Sequence, residues 1–352
     1  FMARVYARPR LQVVRAASAE ELPPEREVRR AIGGHWDGCR IGFDAGGSDR
    51  KVAAVIDGKE VYSAEVVWHP KEQADPAYHV AGVLDSLRAA ARHLPRVDAL
   101  GVSSAGIYVD NRTRVASLFR KVPPADFEAT IESIYLDAAR ALGDVPVQVA
   151  NDGDVAALAG AMTLGVRPVL GIALGTSEAV GYVDRDGFVT GWLNELAFAP
   201  VDESPSAPID TEWSGDRGIG SKYLSQDAVL RLAPRAGLDL DLSAPPGARL
   251  EQVQRRLAAG DERARRVFES VGVYLGYALA HYATFYELEH VLLLGRVTSG
   301  LGGRILVAAA RAVLDRDAPE LARVVTLHLP DEASRRVGQA LAAASLPPSR
   351  SS

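Results

Sequence analysis

Short apolar runs alternate with longer amphipathic stretches along most of the chain. From residue 40 onward, three apolar runs follow one another closely, and Asp57-Gly58 between the second and third is typical of a β-hairpin turn. We predict strands at 40–45, 51–56 and 61–68. Because tight turns join these three strands while later strands alternate with helices, the pattern predicts an α/β fold whose sheets are mixed rather than purely parallel.

Beyond this opening, the periodicity of the apolar positions switches repeatedly between that of a helix and that of a strand. The predicted helices lie at 77–93, 126–142, 154–164, 262–287 and 304–314, with a last helix after Asp331, and the predicted strands lie at 98–103, 145–150, 290–294 and 322–329. Residues 200–220 are rich in Pro and Gly and predict an irregular segment. Residues 1–39 are rich in Arg and Glu, and we interpret them as an N-terminal extension.

The sequence contains an internal repeat. A shift of 129 residues places "IGFDAGGSDRKVAAVIDG" (41–58) on "LGIALGTSEAVGYVDRDG" (170–187) without a gap. Each copy has a Gly-rich loop that follows an apolar strand and precedes an Asp-Gly turn, which predicts a duplicated domain with two facing loops. The matched positions are Gly42 with Gly171, Gly46 with Gly175, Ser48 with Ser177, Asp49 with Glu178, and Asp57-Gly58 with Asp186-Gly187.

Gly-rich loops of this kind can bind phosphate through their backbone N–H groups, because glycine permits the required dihedrals and carries no obstructing side chain. A plain hairpin turn is the alternative for either loop taken alone. Two facing loops could hold one polyphosphate between them, and neither has the Gly-Lys-Ser/Thr ending of a P-loop. The candidate phosphate ligands are Gly46, Gly47 and Ser48 in the first loop and Gly175, Thr176 and Ser177 in the second.

Three carboxylates are candidates for chemistry. Asp44 ends the first predicted strand and could hold Mg²⁺ through water, or accept N–H bonds within the turn. Asn151 and Asp152 end another strand, where α/β sheets place their ligands, and Asp152 could take a proton from an attacking hydroxyl. Helix capping is the alternative there, and Asp154 is a competing cap or acid. Glu195 lies in an apolar stretch and could bind two adjacent sugar hydroxyls, or be a surface residue without a task.

Composition limits the classes of partner. The chain has 352 residues, 47% of them hydrophobic and 24% charged, with a net charge of −5 from well-mixed side chains, which argues against a nucleic-acid footprint. Its most apolar long stretch, 271–286, is shorter than the roughly 20 residues that span a bilayer. Cys39 is the sole cysteine and cannot form an internal disulfide, so we expect a cytoplasmic protein. From the charge and the length of the apolar stretch, we expect it to bind neither nucleic acid nor membrane.

These motifs together resemble those of the ROK sugar kinases, over about 40–346. "DAGGS" (44–48) resembles the family's first phosphate motif and "LGTSE" (174–178) the second. Asn151-Asp152 matches the family's sugar-binding Asn followed by its catalytic Asp. Further matches are Ser104 and Gly106 in "SSAG" (103–106), where the family has a sugar-contacting loop, and Gly295 and Arg296 in "LLLGRVTSG" (292–300), where it has a loop covering the nucleoside.

The resemblance implies a two-lobed, duplicated hexokinase/actin-like (ribonuclease H-like) fold with mixed sheets flanked by helices. Residues 40–150 would form the N-terminal lobe, completed by a C-terminal helix at 331–346, and residues 151–330 the C-terminal lobe. It also implies an ATP- and Mg²⁺-dependent kinase that phosphorylates a hydroxyl of a sugar-like substrate, with Asp152 as general base. A homodimer is compatible with this family, although no motif marks an interface.

Two departures from the family pattern concern the substrate and zinc. The family's Glu-x-Gly-His sugar motif appears as 195–198, with Phe198 in place of His. The family's zinc cluster aligns with "EWSGDRGIGS" (212–221), in which none of the three cysteines is present, so we expect no zinc. Ser221 stands where a further sugar-contacting Glu would be. Because buried polar contacts discriminate strongly between hydroxyl patterns, the substrate could be another sugar, a cyclitol or a sugar derivative rather than glucose.

Two other functions stay open. Some ROK proteins are sugar-responsive repressors with an N-terminal DNA-binding domain, but 1–39 is short for a winged helix-turn-helix and interleaves its arginines with glutamates. A nucleotide-binding protein without catalysis is the other alternative, motivated by the altered sugar motif. The presence of Asp152 argues against it.

Overall fold

Two separate β-sheets organise the chain. The computed structural model describes residues 2–24, 32–212, 214–329 and 338–349. These fall into two units, the first comprising Phe1–Val155, Phe188–Leu193 and Arg336–Ser352, and the second Ala156–Gly187 and Asn194–Arg335. The C-terminal segment therefore belongs to the same unit as the first sheet.

The first unit is built on a five-stranded mixed sheet. Its strands are β1 (Cys39–Ala45), β2 (Asp49–Ile56), β3 (Lys59–Val67), β4 (Ala99–Ser104) and, after the small hairpin β5 (Ile107–Val109) and β6 (Arg112–Val115), β7 (Val147–Asn151). Their order is β3-β2-β1-β4-β7. β1 pairs antiparallel with β2 and parallel with β4, and β4 pairs parallel with β7. The carboxyl ends of three parallel strands therefore lie side by side.

The sheet of the second unit repeats the order of four of these five strands, without a counterpart of β3. Its strands are β8 (Val169–Leu174), β9 (Glu178–Val183), β10 (His290–Leu294) and β11 (Thr326–His328), in the order β11-β10-β8-β9. β8 pairs antiparallel with β9 and parallel with β10. The 129-residue shift moves the end of β1 and the start of β2 onto the end of β8 and the start of β9. The sequence repeat is therefore a repeat of structure.

Helices cover both sheets. In the first unit they are α1 (Met2–Val5), α2 (Pro76–Ala91), α3 (Pro124–Asp126), α4 (Ile134–Ala141) and the start of α5 (Asp152–Leu164). In the second they are α6 (Gln226–Arg235), α7 (Pro246–Ala258), α8 (Glu262–Tyr282), α9 (Gly300–Asp317) and α10 (Pro319–Val324), and α11 (Gly338–Ala344) closes the chain in the first unit. Within the described part of the chain, none of the helices is long and apolar enough to cross a membrane.

Three sequence predictions of elements differ from the structure. The predicted strand at 322–329 is mostly wrong, because Pro319 starts a short helix as a favoured first residue and only Thr326–His328 is extended. The predicted helix at 126–142 is interrupted by a π-helical turn at Phe127–Ile131. The β5–β6 hairpin was missed, although Asp110 and Asn111 both adopt the positive φ that its tight turn requires. Of the predicted last helix, residues 331–337 lie outside the described residues.

Alternate positions along β1 and β8 face different layers, as the pleat of a strand requires. Ile41 and Phe43 pack into the core formed with α2 and α4. Gly42 faces α11 on the other side, where an added Cβ would overlap the Ala340 carbonyl oxygen. Its counterpart Gly171 faces α5, and an added Cβ there would lie 2.9 Å from Ala157 Cβ. The repeated glycine thus permits a close helix–sheet approach in each unit.

Candidate functional site

Polar side chains converge at the carboxyl ends of the parallel strands in the first unit. Pairing of β1 with β4 places Asp44 opposite Ser103, and pairing of β4 with β7 places Ser104 opposite Asn151. Ser103 Oγ donates a 2.6 Å hydrogen bond to Asp44 Oδ1, and Asp44 is only 5% exposed. Asp152 follows directly as the first residue of α5. The structure therefore brings Asp44, Asn151 and Asp152 to one edge of the sheet.

The two aspartates have perturbed acidities. Burial raises the pKa of Asp44 to about 6 against the opposing hydrogen bond from Ser103, and the charges of Asp152 and Asp49 add to the rise. Burial also raises the pKa of Asp152, while the N–H groups of Gly153 and of Asp152 itself and the Lys71 ammonium oppose that shift. A carboxylate with a raised pKa is a stronger base, which suits proton abstraction from a hydroxyl.

Gln339 of α11 joins this site. Its Nε2 donates to the backbone oxygen of Asp152 at 3.0 Å and to Ser103 Oγ at 3.2 Å. The amide therefore links the hydrogen-bond partner of Asp44 to the backbone of Asp152. Gln339 could not be predicted from the sequence, because it lies 187 positions beyond Asp152 in an Ala-rich stretch without a motif.

The predicted sugar-contacting residues form a hydrogen-bonded scaffold. Asn151 Nδ2 donates to the Gly106 carbonyl at 2.8 Å, and Asn151 Oδ1 accepts from Gly153 N at 2.8 Å. Gly106 has φ 140°, which favours glycine. Asn151 thus holds the loop after β4 against the start of α5, and its side-chain amide uses both the nitrogen and the oxygen to do so.

Ser104 is fully buried within a tyrosine cluster. Its Oγ accepts hydrogen bonds from Tyr108 Oη at 2.6 Å and from Tyr135 Oη at 3.0 Å. Burial raises the pKa of both tyrosines, so both remain protonated donors. The geometry gives Ser104 a clear part in ordering this loop, and its contact with a substrate stays a prediction.

The first Gly-rich loop is held by hydrogen bonds to its carbonyl oxygens. The carbonyl oxygens of Gly46 and Ser48 accept from Trp68, one from Nε1 at 2.8 Å and the other from its backbone N at 3.1 Å. Gly47 and Ser48 are exposed, and their N–H groups donate to no acceptor among the described residues. Two free N–H groups on an exposed turn are suited to bind an anion.

The second Gly-rich loop has the same arrangement. Gly175 N donates to Ser177 O at 3.0 Å, and Gly175 O accepts from Gln226 N at 2.8 Å. Thr176 and Ser177 are exposed, and no residue in the described part of the chain accepts from their N–H groups. These two positions are those that the 129-residue shift matches to Gly47 and Ser48.

Gly295 and Arg296 lie beside this second loop in their unit. Gly295 has φ 93°, and an added Cβ would overlap the backbone of Leu174, the residue that precedes the loop. Thr298 Oγ1 donates to Gly295 O at 2.9 Å, and Gln254 Nε2 donates to Arg296 O at 2.8 Å. The structure therefore brings Gly295 to the second Gly-rich loop, and the contact of Gly295 and Arg296 with a nucleoside stays a prediction.

Glu195 belongs to the second unit, whereas Asp152 belongs to the first. It is half-buried and precedes the short 3₁₀ helix Leu196–Phe198. Its neighbour Asn194 adopts φ 51° and accepts a 3.0 Å hydrogen bond from Tyr286 Oη. The backbone around Glu195 is thus constrained, and its contact with a substrate stays a prediction.

The segment that aligns with the family's zinc cluster is organised by a carboxylate. Asp210 Oδ2 accepts from Ser214 N at 2.8 Å and from Ser214 Oγ at 3.2 Å, and Lys222 Nζ lies 3.6 Å from Asp210 Oδ1. Gly215 and Gly218 both have positive φ. Among the residues described, no group of three or more His, Cys, Asp or Glu side chains could hold a metal ion. A cluster of hydrogen bonds centred on Asp210 therefore supports this loop.

Two sheets that share a four-strand order, each with a Gly-rich loop between an antiparallel pair of strands, are typical of the hexokinase/actin-like class of folds. Solved structures confirm this predicted fold. The ROK hexokinase from Thermus thermophilus superposes with a TM-score of 0.66 at 21% identity, covering 87% of this chain and 97% of that one. The ROK family glucokinase from Streptomyces griseus, solved with glucose and AMPPNP, gives 0.60 at 20% identity, with 87% and 98% covered.

A regulator shares the fold as well. A ROK family transcriptional regulator, a homolog of the E. coli MLC protein, gives a TM-score of 0.62 at 20% identity, covering 87% of this chain and 77% of that one. No protein-family model matches the sequence, and a search of curated proteins finds no match. The chain therefore has the fold of the ROK kinases and regulators, and its function has to be argued from its own site.

Proposed function

We propose that the protein is an ATP- and Mg²⁺-dependent kinase that phosphorylates a hydroxyl of a sugar-like substrate. The observation that carries this proposal is a pair of N–H groups in each unit without an acceptor among the described residues, on Gly47 and Ser48 and, at the matched positions, on Thr176 and Ser177. Backbone N–H donors on an exposed turn bind phosphate oxygens, and each unit supplies one such turn.

Asp152 is the general base in this proposal. Its carboxylate takes the proton of the substrate hydroxyl as the oxygen attacks the terminal phosphorus, the bond to the bridging oxygen breaks, and ADP leaves. Gln339 fixes the Asp152 backbone, and Ser103 orients Asp44. Phosphoryl transfer depends mainly on such positioning and on stabilisation of charge.

Asp44 is the residue that fits Mg²⁺. Magnesium is commonly held by one or two carboxylates together with waters and substrate phosphates rather than by an all-protein cage. The buried carboxyl group of Asp44, with its raised pKa and the neighbouring charges of Asp49 and Asp152, is stabilised by a cation. When bound, Mg²⁺ neutralises phosphate charge. Gly295 and Arg296 would cover the nucleoside.

The substrate is proposed as a sugar or a sugar-like polyol. The first candidate for hydroxyl recognition is the loop after β4, which contains Ser104 and Gly106 and is bonded by Asn151. Glu195 is the second candidate. The solved structures with this fold include a putative N-acetylmannosamine kinase from Listeria monocytogenes and a glucokinase in complex with glucose. Because Phe198 and Ser221 replace two polar contacts, the test must range beyond glucose.

The test is release of ADP from MgATP, measured with a coupled assay over hexoses, amino sugars, N-acetyl sugars and cyclitols. We expect at least one compound to stimulate release and Asp152→Ala to lower kcat by about 10²–10⁴-fold. Asp85→Ala, on the exposed surface of α2, is the matched control and should retain full activity. ADP release that is independent of every acceptor, or unchanged in Asp152→Ala, would contradict the proposal.

A sugar-responsive regulator is the second candidate, because the ROK transcriptional regulator has the same fold as this chain. In that case a sugar would bind without phosphorylation, and the response would appear as altered DNA binding.

A further inference from the structure

Two lysines lie near the first Gly-rich loop, and only one of them has its charge engaged. Lys51 Nζ makes a 2.6 Å ion pair with Asp49 Oδ1. Lys71 makes no ion pair with a carboxylate of the described residues. The Lys71 ammonium is therefore a cation at this loop that is available to another anion.

The position of Lys71 is set by the end of β3. It lies in the short 3₁₀ helix Pro70–Glu72, directly after the buried Trp68 that bonds the first loop. Arg120 Nε donates to Lys71 O at 3.4 Å, and Lys121 Nζ donates to Glu72 O at 3.5 Å. These contacts hold the backbone of the segment and leave the Lys71 side chain to reach the loop.

The side chain of Lys71 lies against Gly47. A Cβ added to Gly47 would be 3.0 Å from Lys71 Nζ and 3.1 Å from Cε, so only glycine leaves the ammonium its full space there. The N–H of Gly47 has no acceptor among the described residues. The charge of Lys71 also opposes the rise in the pKa of Asp152. One ammonium group thus lies against the first Gly-rich loop and within electrostatic range of Asp152.

Given the proposed function, on which this step rests, we infer that Lys71 binds the terminal phosphoryl group of the nucleotide while it is transferred. The hydroxyl that Asp152 deprotonates must attack this phosphorus, so a cation that acts on both Asp152 and the loop is near the transferred group. An ammonium supplies charge where the transition state needs it, and Lys is an established phosphate ligand. Lys51 cannot replace it while Asp49 holds its charge.

The kinetic test compares Lys71→Met, Lys71→Arg and the control Lys59→Met, which removes an exposed lysine of the same unit. We expect Lys71→Met to lower kcat by about 10²–10³-fold, with the KM for the acceptor and the melting temperature unchanged. Lys71→Arg, which keeps the charge, should recover a part of kcat. A Lys71→Met enzyme within twofold of wild type would overturn the inference.

A second test does not depend on turnover. The chain has five lysines, so reductive ¹³C-methylation, which keeps their charge, gives a small set of NMR signals. We expect the signal that is missing in Lys71→Arg to shift with Mg-AMPPNP and to shift much less with MgADP, while the Lys59 signal stays constant. An equal Lys71 shift with both nucleotides, or none, would overturn the inference.

The two tests distinguish failure of this inference from failure of the proposed function. If the wild type is active and the Lys71 variants are unaffected, the inferred role of Lys71 is wrong and the proposed kinase function stands. If no sugar stimulates turnover but the Lys71 signal shifts only with Mg-AMPPNP, the proposed sugar kinase function is wrong. The inference that Lys71 binds the terminal phosphate then stands. Absence of both turnover and nucleotide binding overturns both.

Discussion

At the scale of single residues, the molecule contains buried and half-buried carboxylates whose pKa is raised by desolvation. Asp44 and Asp152 lie at strand ends, where the proposed phosphoryl transfer gives them a task. Glu178 differs, since it starts β9 directly after the second loop and is 4% exposed. Tyr282 Oη donates to its Oε1 at 3.4 Å, and its Oε2 has no partner among the described residues. Burial raises the pKa of Glu178 to about 8.

Glu178→Gln is expected to stabilise the protein at high pH. The pKa of Glu178 is raised in the folded state, so the folded protein binds a proton that the unfolded chain releases above its ordinary pKa of about 4.5. The stability of the wild type therefore falls between about pH 4.5 and pH 8, whereas glutamine has no proton to lose. Thermal melting at pH 5, 7 and 9 should show a gain for Glu178→Gln that grows with pH.

Glu203→Gln is the control for this measurement, because Glu203 is exposed in the same unit. It should melt with the wild type at every pH. A gain for Glu178→Gln that is the same at pH 5 and pH 9 would mean that titration of this carboxyl group does not contribute to stability.

At the scale of elements, close approach of a helix to a sheet fixes part of the site. α11 lies on β1 and β4 at two glycines, and an added Cβ on Gly101 would overlap the Ala343 carbonyl oxygen, as one on Gly42 overlaps that of Ala340. This contact positions Gln339 at the strand ends, where it bonds Ser103 and the Asp152 backbone. The helix therefore contributes to both the stability of the first unit and the geometry of its site.

Gly101→Ala is expected to lower stability and activity together. Overpacking of this kind costs about 1–3 kcal/mol, which lowers the melting temperature by several degrees. Displacement of α11 also weakens the bonds of Gln339, so kcat should fall with the melting temperature. Gly175→Ala is the stability control, because an added Cβ there comes no closer than 3.5 Å to Ser177 O. Equal melting of Gly101→Ala and wild type would contradict the close approach.

At the scale of the whole molecule, kinases and a regulator have the same fold, so the fold alone does not distinguish the two functions for this chain. The distribution of charge and the chemistry of the site can distinguish them. The chain carries a net charge of −5, and residues 1–39 contain four glutamates and one aspartate beside seven arginines. Nucleic-acid binding needs a concentrated basic surface, since phosphate neutralisation supplies most of the non-specific affinity. The charge distribution thus favours the kinase over the regulator.

We expect no retardation of duplex DNA by the full chain in a gel-shift assay at physiological salt, with or without the sugars of the kinase panel. The matched variant replaces the exposed Arg8, Arg10 and Arg15 with Glu. If the wild type retards DNA and this variant does not, the extension binds DNA and the regulator becomes the better function.

Local patterns carry most of what the sequence alone could predict. β1, β2 and the loops between β1 and β2 and between β8 and β9 follow from alternation, glycine and the 129-residue repeat, all of which are properties of neighbouring residues. The helix at Pro319–Val324 was mistaken for a strand because a short apolar run reads equally well as either. The positions of Asp44, Asn151 and Asp152 at strand ends could be predicted because strand ends are recognisable from the same patterns.

The sequence by itself thus determined the fold class, the duplication and the carboxylates at the strand ends. Only the tertiary structure decided that Lys71 and Gln339 join them. Lys71 follows an edge strand and Gln339 lies in an Ala-rich helix near the chain end, and neither has a distinguishing neighbourhood in sequence. Their positions depend on how β3 pairs and how closely α11 packs on Gly42 and Gly101, and contacts between distant segments are set by packing rather than by local periodicity.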